Sequence, residues 1–129
     1  MAIMDVFGEW LGMRKPMVAP LDKKVRFLLK YGDLLVGTLS VEDGVWKFGY
    51  SDQFKQSKFL RPIVEFPDVD KVYDRKELWQ FFASRIPSPE QPEVEEILRR
   101  EQISEDDSVS LLRRFGMRTI SNPFQLEAT

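Results

Sequence analysis

At 129 residues and 15.2 kDa, with 43% hydrophobic and 31% charged residues, the chain has the size of one domain and the balance of a compact globular protein, which excludes a second full domain and a disordered or fibrous class. A formal charge of −2 and a pI near 5.3 provide no long-range positive field for phosphate, so direct nucleic-acid binding is disfavoured. Cysteine and histidine are both absent, which removes disulfides, thiolate nucleophiles, thiolate zinc sites and the commonest general base near neutral pH.

Residues 1–14 place Ile3, Val6, Phe7, Trp10 and Leu11 on one stripe at helical spacing, predicting a short amphipathic helix. Pro16 and Pro20 then break any helix, so 15–22 reads as an extended connector. The stripe has two readings, packing onto its own domain or docking into a partner's groove, and both stay open. From Val25 the pattern is that of strands: VRFLLKY, a Gly32-Asp33 turn, LLVGTLSVE, an Asp43-Gly44 turn and VWKFGY. This predicts a three-stranded meander over 25–50 with Trp46, Phe48 and Tyr50 on one core-facing side.

Ser51 is placed to cap one irregular turn carrying Phe54, Phe59 and Leu60 as anchors. RPIVEFP reads as a fourth strand over 61–66, between Pro62 and Pro67, and PDVDKVYD as a charged loop. Asp74 as N-cap with Glu77 three residues on predicts a helix over 74–86 whose apolar face carries Leu78, Phe81, Phe82 and Ile86. Beyond the proline-rich break, a helix is expected over 92–102 with Val94, Ile97 and Leu98 inward. Another, capped by Ser104, is expected over 105–115 and stopped by Gly116. MRTISNPFQL suggests a short edge strand and the last residues a frayed tail. The expected fold class is therefore α+β: a small antiparallel sheet, a meander plus edge strands, packed with three to four short helices. Residues 1–22 would form the helix and connector, 23–122 the domain and 123–129 the tail.

The chemistry-bearing motifs are missing. Gly32, Gly37, Gly44 and Gly49 are scattered over separate hairpin positions instead of clustering into a phosphate-cradling loop, and no kinase catalytic motif or nucleophile elbow occurs. The acidic pairs Asp68/Asp70, Glu95/Glu96 and Asp106/Asp107 lack calcium-loop spacing and read as solvated faces and helix starts. The basic pairs Arg99/Arg100 and Arg113/Arg114 sit among acids and read as surface ion pairs. No catalytic residue, no metal site, no cofactor and no enzymatic activity are expected. With no long apolar run and no signal-peptide pattern, the expected location is cytoplasmic and no membrane contact is anticipated.

In order along the chain stand Val36-Gly37 with Leu39, Phe48 with Tyr50, Arg61-Pro62, Phe81-Phe82 and Ile86-Pro87. Over about residues 25 to 120 this series resembles the N-terminal subdomain of HipA-type serine/threonine kinases, whose pattern is a "VG.L" strand, an "F.Y" strand, an "RP" strand and a helix with "FF" followed by "LP". Ile86 departs from the usual leucine, and the N-terminal helix has no counterpart in that pattern. The resemblance implies a stand-alone, HipS-like antitoxin of a three-gene system, binding and neutralising a HipT-like kinase, with a HipB-like DNA-binding protein in a ternary complex. An accessory or substrate-presenting subunit of an unrelated enzyme is the alternative, and the gene neighbourhood separates the two. The residues expected to meet the partner are Asp68, Asp70, Val72, Tyr73 and Asp74 of the charged loop, with the stripe residues Phe7, Trp10 and Leu11 as a second candidate. Tyr73 either enters a cleft of the partner or staples its ring onto the helix behind it.

Overall fold

The computed structural model describes residues 17–58, 60–120 and 122–129. The predicted N-terminal helix, with Phe7, Trp10 and Leu11, lies outside the described residues, as does Phe59. The fold is α+β: a five-stranded antiparallel sheet with four helices among the described residues. The strands are β1 (Val25–Tyr31), β2 (Leu34–Glu42), β3 (Val45–Tyr50), β4 (Tyr73–Arg75) and β5 (Gln125–Ala128), in the order β4-β3-β2-β1-β5. The helices are α1 (Asp52–Gln56), α2 (Gln80–Ala83), α3 (Pro92–Glu101) and α4 (Ser108–Phe115).

The meander over 25–50 forms as expected. Asp43 and Gly44 both take positive φ, 54° and 75°, the pair of left-handed conformations that matches a two-residue turn to the twist of the strands. Register then builds the core in rows. Ala128, Phe27, Leu39, Phe48 and Tyr73 stand side by side across all five strands. In β2 the pairing with β1 skips Val36, because Leu29 faces Gly37 while Lys30 faces Leu35. That bulge turns Val36 into the core beside Leu39 and Val41, all three fully buried. Trp46, Phe48 and Tyr50 are also buried on this side.

Four expectations are corrected. RPIVEFP is not a strand. Ile63 and Phe66 are the buried residues, with Val64 between them 93% exposed, a spacing of three that a strand's alternation cannot give. A tight turn, Phe66 N–H to Ile63 O at 2.8 Å, closes the segment instead. The neighbour of β3 is β4, inside the stretch read as loop and helix start, where Trp46 pairs with Arg75 and Phe48 with Tyr73. The helix expected over 74–86 is consequently only α2, four residues long. The backbone of 73–75 is committed to β3, and that of 76–78 to the connector through Ala19 N–H to Lys76 O and Leu78 N–H to Met17 O. Asp74 caps no helix. Phe81 N–H, an orphan donor of the first turn, is instead met by Glu65 Oε1 at 2.7 Å. Third, α4 is capped by Asp107, whose side chain accepts from Ser110 N–H, while Ser104 closes a local turn by accepting from Asp106 N–H. Fourth, the end of the chain is not frayed, because β5 pairs with β1 from Lys30–Gln125 to Phe27–Ala128 and buries Leu126.

The cap at Ser51 and the helix over 92–102 are found as expected. Ser51 accepts from Phe54 N–H and caps α1, Phe54 stacks on Tyr50 at 4.6 Å, and α3 follows the expected helix with Val94 and Leu98 buried.

Candidate functional site: the acidic loop beside the sheet edge

Pro67–Asp74 leaves the core at the buried Phe66 and returns to it at Tyr73, the first residue of β4. Tyr73 is half-buried. Its ring meets Phe66 edge-on at 5.2 Å, and its hydroxyl oxygen accepts from Asp68 N–H at 2.8 Å. The helix-staple reading of Tyr73 therefore fails in its details, since no helix begins at Asp74. Tyr73 instead clasps its own loop. Asp68 Oδ1 accepts from Asp70 N–H at 3.0 Å, a local turn that holds the loop's first half. Lys71 Nζ stands 5.0 Å from the Tyr73 ring centre.

With Tyr73 turned inward, the alternation of β4 sends Val72 and Asp74 the other way. Val72 is 66% exposed and touches no bulky neighbour across the strand, where Gly49 stands. Asp74 faces Lys47. Asp68, Asp70 and Asp74 are all exposed, and among the described residues the Asp70 carboxylate has only a loose ion pair with Lys55 at 3.9 Å. The fold thus brings together Asp68, Asp70, Val72, Tyr73 and Asp74, with Tyr73 as the brace and Val72 with three carboxylates as the presented surface. Phe7, Trp10 and Leu11 lie outside the described residues.

Behind the loop, the Tyr50 hydroxyl donates to Phe66 O at 2.7 Å and accepts from Ile63 N–H at 2.8 Å. Burial pushes its pKa up to about 12, so it stays protonated and holds 63–66 in place. Two exposed features in this region escaped sequence reasoning: Val64, and the neighbouring cations Lys55, Lys58 and Arg61. The only sequence signal for them is the Arg61-Pro62 pair, which the fold leaves on the surface.

Among the described residues, no group of three or more acidic side chains is placed to hold a metal ion, and no helix is long and apolar enough to cross a membrane. The family model described as the HipA N-terminal domain matches residues 28–121, a span that takes in the loop and everything that braces it. No curated protein matches the chain.

Proposed function

Because the chain belongs to the HipA N-terminal domain family, we propose that it works as a non-catalytic antitoxin, HipS-like, that binds and neutralises a HipT-type serine/threonine kinase. The family match is the observation that carries this reading. It is supported by a braced loop that presents Val72 among Asp68, Asp70 and Asp74, a surface suited to a cleft whose own cations otherwise meet nucleotide phosphates. A domain that is fused to the kinase in one arrangement and separate in another would reuse the same intramolecular interface, so specific contact requires no new motif. A HipB-like DNA-binding protein would join the pair in a ternary complex.

The test is co-expression with a HipT-type kinase. The two proteins should co-purify, and kinase-dependent growth arrest should be relieved. A variant carrying Asp70→Lys and Asp74→Lys should lose protection while melting within a few degrees of the parent, since both carboxylates are exposed. Full protection by that variant would remove the loop as the inhibitory element, and failure of the parent to co-purify would remove the reading altogether. Titrating the isolated chain with magnesium-ATP should give no binding heat, and a micromolar site would return the protein to the enzymes.

A further inference from the structure

At the end of the sheet where β1 begins and β2 finishes, the strands and α4 leave an open cavity of about 510 Å³. Strand register builds it. Arg26 stands opposite Ser40 and Val25 opposite Val41, and Thr129 joins the lining by donating its backbone N–H to Arg26 O at 3.0 Å. Arg113 lines the same cavity from α4, and Lys24 from just before β1.

The charge in this lining is unbalanced. Glu42 is its one side-chain carboxylate among the described residues, and it is already paired with Lys24 at 3.3 Å. Arg26 and Arg113 are both exposed and make no ion pair among the described residues. Two guanidiniums without a carboxylate therefore share one cavity with the hydroxyl-bearing side chains of Ser40 and Thr129. Counting the α-carboxylate of Thr129 leaves the lining still positive. Like charges gathered in this way repel, and a bound anion offsets that cost. Each guanidinium offers a planar fork that matches phosphate or carboxylate oxygens in pairs. A monovalent anion satisfies one fork, whereas a phosphate dianion has the charge and the oxygens to meet both and to accept from a hydroxyl as well.

We propose that this cavity binds a phosphate dianion, with Arg26 and Arg113 as the two forks, Ser40 as a neutral donor and Lys24, partly neutralised by Glu42, as the outer cation. The dianion is free phosphate or the phosphate monoester of a small molecule. The site is open to water and screened by salt, so its affinity belongs in the millimolar range, far weaker than the micromolar site that would mark a nucleotide-using enzyme. It shares no residue with the acidic loop and does not depend on the antitoxin reading.

The test is an NMR titration of the full chain with sodium phosphate at constant ionic strength, above the second pKa of phosphate. Saturable shifts should concentrate at the amides of Arg26, Ser40, Arg113 and Thr129. Arg26→Gln and Arg113→Gln should each weaken binding by about tenfold or more and melt within a few degrees of the parent, both positions being exposed. Arg99→Gln, exposed on α3, should leave binding unchanged. Phenyl phosphate binding more tightly than inorganic phosphate would identify an organic monoester lying against Val25, and equal binding would identify the free ion. Dimethyl phosphate, a monoanion, should bind at least about tenfold more weakly. The proposal is overturned by unsaturating shifts spread over the surface lysines, by both arginine variants binding phosphate like the parent, or by dimethyl phosphate or acetate matching phosphate.

Discussion

The Phe48 ring lies directly over Gly37, and a Cβ built there would stand 2.5 Å from Gly49 O and 2.7 Å from the ring. The ring could turn, but the carbonyl belongs to the central ladder and cannot. Gly37→Ala is therefore expected to cost about 1–3 kcal/mol in urea unfolding, the range of overpacking in a rigid core. Phe82 is a contrasting case. It is fully buried against Phe48, Phe66 and Phe81, so Phe82→Ala should cost about 3–5 kcal/mol through the cavity it leaves. A loss under about 1 kcal/mol would mean that the short helix carrying it is misplaced. Tyr73→Phe keeps the ring on Phe66 and removes the acceptor for Asp68 N–H together with the hydroxyl's long donation to Asp68 O at 3.4 Å. Its stability loss should stay near about 0.5 kcal/mol, since water replaces the bond at an exposed site, while amide exchange across 68–72 should quicken.

At the scale of elements, α4 and the connector stabilise one another through Asp107. Burial alone would push this carboxyl up, but the Ser110 hydroxyl and backbone N–H, together with the Lys23 ammonium, hold it below its ordinary value of 3.8. A carboxylate depressed in the folded state adds stability above its unfolded pKa and loses it as the pH falls through the folded one. Asp107→Asn retains a capping oxygen and discards the charge. The variant should therefore be less stable than the parent at pH 6, with the gap closing as the pH drops below about 4. A gap unchanged down to pH 2 would show that the charge contributes nothing. The same element explains a misreading. Ser104 and Asp107 are both good caps by composition, and contact with Lys23, 84 residues away in sequence, favours the second.

For the whole molecule, the decisive residue is Arg85. Among the described residues it is buried without a carboxylate partner, donating to Gly116 O at 3.2 Å, Phe124 O at 3.0 Å and Asn122 Oδ1 at 3.2 Å. Burial lowers its pKa to about 10, which leaves the guanidinium charged at neutral pH. Its planar fork gathers three oxygens from the segment leading into β5, so it ties the chain's end to the back of α2. Arg85→Met should cost about 2–3 kcal/mol, and amides of 126–128 should lose exchange protection before those of β2 and β3. Uniform loss of protection would mean that β5 is held by Leu126 alone.

The sequence by itself determined the meander, its two turns, the aromatic side of β3, helix α3 and the family, because each of these is written in local periodicity, turn chemistry or motif order. It also marked the acidic loop, whose charges have no use in a core. Tertiary structure decided what local patterns leave undetermined. The open edge of β3 had to be paired, and it drew Tyr73–Arg75 out of a stretch with good helix-start residues, shortening the helix to four residues. The other edge, at β1, drew in the last residues of the chain, which looked like a tail because four residues of QLEA carry too little alternation to announce a strand. Both outcomes follow from the need of exposed backbone donors and acceptors for partners, a demand that arises only once the sheet exists.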